Sequence, residues 1–161
     1  MSPVKSVIWR YTTNAPAIGW EDNAFDDRDW SSREAGFGTD VPNNRTRSAW
    51  TTDDIWLRTT FEADHLRLDP LKLVVYHDED VEIYLNGQRV WSESGYIVNY
   101  KEVRLPDEVL RRLKPVGNRI AVHCHQTTGG QYIDVGLSQG SMPLDTGVDR
   151  EHNLLLNGPK N

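Results

Sequence analysis

The chain has 161 residues, enough for one domain with a sizeable hydrophobic core. Its 18 basic and 24 acidic residues give a formal net charge of -6. This balance argues against a nucleic-acid binder or a protein that binds anionic membranes, because both need clustered Lys and Arg. Cys124 is the single cysteine, which excludes an internal disulfide and a cysteine-based zinc cluster. No apolar run approaches the roughly 20 residues that span a bilayer, so we expect a soluble chain or a soluble part of a longer one.

The predicted elements are almost all short β-strands. Ser6–Tyr11 predicts the first strand, and residues 14–29 then form a polar, turn-rich segment. Three aromatic side chains should pin this segment to the core as an ordered loop, namely Trp20, Phe25 and Trp30. Further strands are predicted at Ile55–Ala63, Leu71–His77, Val81–Leu85, Gln88–Ser92, Tyr100–Leu105, Asn118–Gln126 and Gln131–Ser138.

Only residues 107–113 have a helical pattern, and the segment is short. Seven or eight short strands with a single helical turn are typical of an all-β chain, here an antiparallel β-sandwich such as a jelly roll. We expect this sandwich to span residues 1–140. Residues 141–161 are predicted to be a tail or a linker, because the strand pattern decays there into Gly, Pro and polar residues.

Asn86-Gly87 between alternating apolar residues is the strongest hairpin signal in the chain, because both positions of a type I′ turn need positive φ. A two-residue turn places Ile83 opposite Val90, and both should face the core. The opposite face then carries two aromatic rings, one acid and one base, namely Glu82, Tyr84, Arg89 and Trp91. Such a patch suits sugar binding, since C–H faces of sugars stack on aromatic rings while hydroxyl groups bond to charged side chains. The equally weighted alternative is that another loop covers these rings.

A second hairpin is predicted with residues 127–130 as its loop. It would pair Ile120, Val122 and Cys124 with Leu137, Val135 and Ile133 on the core face. The other face would bring together a second polar cluster, namely His123 opposite Asp134 and His125 opposite Tyr132. A hydrogen-bonded His–Asp pair can orient an imidazole toward a ligand or a catalytic step. The alternative, which we favour, is that the two side chains simply satisfy each other in a covered position.

Acidic side chains concentrate at residues 22–29 and 77–80. Carboxylate oxygens bind calcium, so Asp26, Asp78 and Asp80 are weak candidates for a structural calcium site, the only cofactor the sequence suggests. Neither an EF-hand nor a zinc spacing is present, which makes solvated or turn-capping acids the favoured interpretation. The sequence also has no Gly-x-Ser-x-Gly, no phosphate-binding glycine loop and no His-Glu-x-x-His. A glycosidase needs only two well-placed carboxyl groups, for example Asp78 and Glu79, and this chemistry stays open.

Several motifs in order resemble the galactose-binding-like β-sandwich domains, similar to the sugar-binding domains of glycoside hydrolase family 2 and related carbohydrate-active proteins. They are Trp20 with Phe25 to Trp30, Ala35 to Gly38, Asp54 to Arg58 with Phe61, Tyr84 to Gly87, and Asn118 to Val122. The resemblance covers roughly Ser6 to Leu137. It implies a jelly roll appended to a periplasmic or extracellular glycosidase, with a neighbouring catalytic domain and a poly- or oligosaccharide as partners. It does not imply catalysis, a nucleic-acid partner or a membrane partner.

We therefore expect a non-catalytic carbohydrate-binding module, an accessory domain of a glycoside hydrolase. Its candidate ligand residues are the two clusters described above, namely Glu82, Tyr84, Arg89 and Trp91, and His123, His125, Tyr132 and Asp134. One alternative is a small glycan hydrolase that uses Asp and Glu residues. Another is a purely structural interdomain module, which predicts no sugar affinity and exposed apolar surface that includes Leu154–Leu156.

Overall fold

The computed structural model describes residues 7–39, 46–63 and 71–139, and every structural statement below refers to these segments. They form strands and one short helix, with bounds β1 Ile8–Thr12, β2 Ser31–Glu34, β3 Phe37–Gly38, β4 Ser48–Ala49, β5 Asp54–Phe61, β6 Leu71–Asp78, β7 Asp80–Leu85, β8 Gln88–Glu93, β9 Lys101–Arg104, α1 Asp107–Arg111, β10 Asn118–His125 and β11 Tyr132–Gln139. The predicted strands and the predicted helical turn are present, with ends that differ by one or two residues. The predicted tail, residues 141–161, lies outside the described residues.

The strands form two sheets that pack face to face as a β-sandwich. The six-stranded sheet has the order β2-β1-β5-β10-β7-β8, and the five-stranded sheet has the order β4-β3-β11-β6-β9. Neighbouring strands are antiparallel except for the short parallel pair β3 and β4. The all-β antiparallel sandwich predicted from the sequence is confirmed.

Strict alternation in the strands builds the core. In β6 and β7 every second side chain is buried, as expected for strands with one face on the core. The largest fully buried apolar side chains include Trp9, Phe37, Trp50, Phe61 and Ile120. Cys124 is also buried on this face, as predicted, and burial raises the pKa of its thiol. A thiol held neutral in the core is a packing group rather than a nucleophile.

The hairpin of β7 and β8 turns at Asn86-Gly87, where φ is 49° and 82°. Leu85 faces Gln88 and Tyr84 faces Arg89, as predicted. The register then shifts, so that Ile83 faces Trp91 instead of Val90. One extra residue in β8 makes a β-bulge, and beyond a bulge every side chain changes face. The predicted pairs of Glu82 with Trp91 and Ile83 with Val90 are therefore wrong.

The predicted hairpin of the last two strands is also wrong. β10 lies in the six-stranded sheet between β5 and β7, whereas β11 lies in the five-stranded sheet between β3 and β6. The intervening segment crosses from one sheet to the other. The predicted core residues of both strands are nevertheless buried, because both strands turn their apolar sides to the same core: Ile120, Val122, Cys124, Ile133, Val135 and Leu137. Two strands that face each other across a sandwich core show the same alternation of buried and exposed residues as two strands paired in one sheet. The sequence pattern therefore does not distinguish the two arrangements.

Residues 13–30 form an ordered loop, as their aromatic content predicted. The rings of Phe25 and Trp30 meet edge to face with centroids 5.8 Å apart, and Trp20 meets Tyr84 of β7 at 5.5 Å. The loop thus lies over the outer face of the six-stranded sheet. In the part of the chain that the structure describes, no helix is long and apolar enough to cross a membrane.

Candidate ligand-binding cleft

The outer face of the six-stranded sheet is covered at one end and open at the other. Three rows of side chains cross β5, β10 and β7 in register, namely Arg58–Ala121–Tyr84, Trp56–His123–Glu82 and Asp54–His125–Asp80. The loop of residues 13–30 covers the first row, where Arg58 and Ala121 have no exposed surface. The other two rows remain partly exposed and form the floor of the open half.

Arg58 anchors the covering loop. Its Nε donates to Asp27 Oδ2 at 2.9 Å, and its guanidinium also donates to the backbone carbonyls of Trp20 and Asp22. Arg119 Nη1 donates to the same Asp27 oxygen at 3.1 Å. Burial lowers the pKa of Arg58, the neighbouring Arg119 adds to this, and Asp27 opposes it. This network is structural, since every group in it is engaged by the protein itself.

A cleft of about 360 Å³ occupies the open half. It is lined by side chains of β7, β8 and β10, and by one residue after β8: Asp80, Val81, Glu82, Ser92, Glu93, Ser94, His123 and His125. All of the lining residues except Val81 are polar, and they supply carboxylates, imidazoles and hydroxyl groups. These are the side chains that bond to hydroxyl-rich ligands.

Asp54 orients the two histidines of the cleft. Its Oδ1 lies 2.7 Å from His123 Nε2 and 2.9 Å from His125 Nδ1. Burial alone would raise the pKa of the Asp54 carboxyl, but the hydrogen bonds from both imidazoles outweigh burial and lower the pKa. The hydrogen bond to Asp54 raises the pKa of His125. His123 is further fixed by Trp56, whose ring lies parallel to the imidazole at 4.7 Å.

Two carboxylates of the cleft lining, Glu82 and Asp80, are each fixed by hydrogen bonds from separate donors. Glu82 accepts hydrogen bonds from the Tyr84 hydroxyl at 3.1 Å and from Arg89 at 3.2 Å. Asp80 Oδ1 accepts the backbone N–H of Gly95 at 2.7 Å. These contacts fix carboxylate oxygens at the cleft surface before any ligand arrives, which reduces the entropy lost on binding.

Glu93 lines the cleft on the side formed by β8. It bonds to Lys101 Nζ at 2.5 Å and to Nε2 of the buried His77 at 2.9 Å. The hydrogen bonds from Lys101 and His77 lower the pKa of the Glu93 carboxyl. Glu93 therefore stays ionised, as Asp54 does.

The first predicted cluster is only partly assembled. Glu82, Tyr84 and Arg89 are together, but the bulge moves Trp91 to the other face, where it packs against the core and meets His77 edge to face at 5.6 Å. Trp20 covers one side of Tyr84, which was the alternative raised for these rings. The predicted aromatic pair of Tyr84 and Trp91 therefore does not exist.

The second predicted cluster is divided between the two sheets. His123 and His125 line the cleft, whereas Tyr132 is buried against Tyr76 and Asp134 accepts the Tyr100 hydroxyl at 2.6 Å in the other sheet. Burial beside Asp134 raises the pKa of Tyr100. The predicted His123–Asp134 pair is wrong, because the strands that carry these residues do not pair. The partner of both histidines is Asp54.

Sequence reasoning missed Asp54 and Trp56 as site residues. The signal was present in β5, where Asp54, Trp56 and Arg58 alternate with the buried Ile55 and Leu57 and so share the outer face. Tyr96 lies outside the lining of the cleft. It follows the cleft residue Ser94 by two positions and is 67% exposed, on a loop fixed by the bonds of Gly95 N to Asp80 and of Ile97 N to the His77 carbonyl.

Two of the three calcium candidates, Asp26 and Asp80, have protein partners. Asp26 pairs with the side chain and the backbone N–H of Arg28, which is the turn-capping role favoured above, and the hydrogen bond from Arg28 lowers the pKa of the carboxyl. Asp80 caps Gly95. Burial raises the pKa of Asp78, and the neighbouring Glu79 adds to it. Among the described residues, no group of three or more His, Cys, Asp or Glu side chains is arranged to hold a metal ion.

Comparisons with solved structures find a similar fold in parts of several glycoside hydrolases. Part of a glycosyl hydrolase family 2 member from Bacteroides cellulosilyticus matches with a TM-score of 0.56 and 17% identity, over 83% of this chain and 20% of that chain. A beta-glycosidase from Bacteroides vulgatus matches with a TM-score of 0.53 and 16% identity, over 84% of this chain and 20% of that one. A Bacteroides uniformis beta-glucuronidase matches with a TM-score of 0.54 and 19% identity, over 80% of this chain and 16% of that one.

The chain thus spans 20% or less of the length of these hydrolases. No protein-family model matches it, and no curated protein matches it. At such low identity the likeness is one of fold. The chain has a β-sandwich fold that is also present in part of these hydrolases, one of which is a family 2 member, and this confirms the resemblance stated from the motifs at the level of the fold.

Proposed function

We propose that this chain is a non-catalytic accessory domain of a glycoside hydrolase and that its cleft binds carbohydrate. The observation that carries the proposal is the cleft itself. A polar depression of about 360 Å³ lies on the half of the sheet that the long loop leaves open. Its size is in the range of ligand pockets, about 300–1,000 Å³, and its groups match the hydroxyl groups of a sugar.

The chemistry of the cleft supports binding rather than hydrolysis. A glycosidase needs one carboxyl group held protonated near neutral pH beside an ionised one. Glu93 in the cleft lining and Asp54 beside it both have lowered pKa values, so both groups are kept as carboxylates. The carboxyl whose pKa is raised, Asp78, is not among the lining residues. Two ionised, hydrogen-bonded carboxylates are good acceptors and poor proton donors.

A purely structural role is the second candidate, favoured by the exposed apolar side chains on the loop after β8. Tyr96 is 67% exposed and Val98 is 70% exposed, and a neighbouring domain could cover both. This role also predicts exposure of Leu154–Leu156, and these residues lie outside the described part of the chain. The location of the parent protein in the periplasm or outside the cell remains a prediction from the resemblance.

A glycan array with the purified chain tests the proposal, followed by calorimetric titration of each hit. The His125→Ala variant should lose binding, because it removes a cleft side chain and leaves the core intact. The exposed Arg33→Ala, on the edge strand β2, is the matched control and should keep the wild-type affinity. A silent array would contradict carbohydrate binding and leave the structural role.

A further inference from the structure

We infer that the cleft accepts saccharides that are neutral or carry a protonated amine, and excludes uronic acids. The inference rests on the proposed carbohydrate-binding function and adds the charge class of the ligand. It follows from an inventory of the donors and acceptors that reach the cleft. The structure pairs the cationic donors with internal partners, whereas the Ser92 and Ser94 hydroxyl groups and several acceptors are left in the cleft lining.

The cations near the cleft are already paired. Arg89 donates to Glu82 at 3.2 Å and Lys101 donates to Glu93 at 2.5 Å. A sugar carboxylate would have to compete with a protein carboxylate for either cation. Each of these ion pairs has no net charge to attract a sugar carboxylate, and neither pair provides a free cation that could bind one.

Asp80 adds a negative charge that no cation balances. Its Oδ1 accepts the amide of Gly95, and within the described residues it forms no ion pair. It opposes His125 in the strand register, on the cleft wall. A carboxylate in this position can accept a hydrogen bond from a sugar hydroxyl or an ammonium group, and it repels a second carboxylate.

The histidines do not supply free donors either. His123 Nε2 faces Asp54 at 2.7 Å, and His123 Nδ1 faces Glu82 Oε2 at 3.9 Å. His125 Nδ1 faces Asp54 at 2.9 Å, so in neutral His125 the proton lies on Nδ1 and Nε2 is an acceptor. Neutral His125 thus presents a lone pair to the ligand, and the charge of its imidazolium form, which the hydrogen bond to Asp54 favours by raising the pKa, is balanced by the Asp54 carboxylate.

The size of the discrimination follows from Coulomb's law. Two like charges about 4 Å apart in water repel each other enough to weaken binding about fivefold, and more where the cleft excludes water. A uronate carboxylate held about 4 Å from Asp80 should therefore bind about fivefold more weakly than a neutral sugar of the same stereochemistry. Screening by salt should reduce this factor, because the cleft is open to solvent.

NMR shift titrations with matched methyl glycosides test the inference. The probes are methyl galactoside, galactosaminide and galacturonide, with the corresponding glucose series, at neutral pH and at low and high salt. We expect a neutral or amine-bearing probe to bind and the matching uronide to bind about fivefold more weakly, with a smaller ratio at high salt. The Asp80→Asn variant should reduce the ratio of the affinities for the neutral probe and the uronide. The Asp53→Asn variant removes an exposed charge outside the cleft lining and should leave this ratio unchanged.

The outcomes separate this inference from the function on which it rests. A uronide that binds as tightly as its neutral counterpart, or more tightly, overturns the charge preference and leaves carbohydrate binding standing. No binding in either series overturns both. If Asp80→Asn fails to fold, the salt dependence of the wild-type ratio decides the question, because a ratio that does not respond to salt contradicts an electrostatic cause.

Discussion

The imidazole of His123 lies flat against the indole of Trp56, with ring centroids 4.7 Å apart and planes 5° apart. The two residues face each other across β5 and β10. One face of the imidazole is therefore covered by the protein, and Asp54 holds its Nε2. His123 is fixed on two sides before a ligand binds, which is the preorganisation that a rigid sheet gives to a binding site.

The first prediction concerns the titration of His125. Its pKa should lie above the ordinary value of 6.5 because Asp54 stabilises the imidazolium, and Asp54→Asn should bring it back toward that value. The measurement is the ¹H NMR titration of the ring proton of His125. Asp53→Asn removes a nearby exposed charge without the hydrogen bond and should shift the midpoint far less. Equal shifts in the two variants would contradict the role of the Asp54 hydrogen bond.

The same shifts fix the sign of the pH dependence of stability. The depressed pKa of Asp54 gives stability that is present above 3.8 and is lost as the pH falls through its lower folded value. The raised pKa of His125 gives stability that is present below 6.5 and is lost as the pH rises through its higher folded value. Asp54→Asn should therefore flatten the stability profile at both ends, as measured by urea unfolding across pH.

The second prediction concerns the buried pair of Arg58 and Asp27. Arg58→Ala should lower the free energy of unfolding by about 3–5 kcal/mol, because it removes the buried cation that anchors residues 13–30 through the carbonyls of Trp20 and Asp22, although Arg119 still bonds to Asp27. Urea unfolding measures the loss. Arg28→Ala, an arginine paired with Asp26 at the surface, is the control and should leave the midpoint unchanged. Similar losses in both variants would contradict the anchoring role of Arg58.

The third prediction follows from the bulge in β8. Trp91→Ala should cost about 2 kcal/mol of stability, less than the roughly 3–5 kcal/mol of a fully buried tryptophan, and should leave the affinity for carbohydrate unchanged. Urea unfolding and calorimetric titration measure the two effects. The exposed Tyr96→Ala is the stability control and should change the free energy by no more than about 0.5 kcal/mol. Loss of affinity without loss of stability in Trp91→Ala would place Trp91 in the site after all.

The fourth prediction uses two glycines with similar backbone angles. Gly87 and Gly117 have φ of 82° and 74°, but a Cβ at Gly87 would lie 2.5 Å from Asp22 Oδ1, whereas Gly117 has open space. Gly117→Ala should cost about 1–2 kcal/mol from the left-handed backbone alone. Gly87→Ala should cost more, because the Asp22 carboxylate must move away from the added methyl group. Equal losses in the two variants, measured by urea unfolding, would show that the Asp22 side chain moves without a cost in stability.

Local signals in the sequence predicted local structure correctly. The turn at Asn86-Gly87 and the first two residue pairs beside it follow from backbone preferences of four residues. The bulge that displaces Trp91 does not follow from local backbone preferences, because packing against the other sheet decides where an extra residue is accommodated. The buried faces of β10 and β11 were predicted, but their partners were not, since alternation records which side is buried and not which strand lies alongside.

The site was harder to predict than the fold for the same reason. Asp54 reaches His123 and His125 only because β5 and β10 are neighbours, 69 positions apart for the first pair. Pattern reasoning found both histidines and Glu82, and it assigned the histidines to residues of the wrong sheet. A contact between strands distant in sequence has no local signature in a single chain.

The most direct test of the central claim is a map of amide chemical-shift changes on the ¹⁵N-labelled chain, titrated with a carbohydrate from the glycan array. Binding in the cleft predicts changes confined to the open half of the outer sheet face, around Asp54, Asp80, Glu82, His123 and His125. The covered end near Arg58 and the outer face of the other sheet near Asp134 should stay unchanged. Shifts centred on Asp134, or none at a saturating concentration, would contradict carbohydrate binding in this cleft.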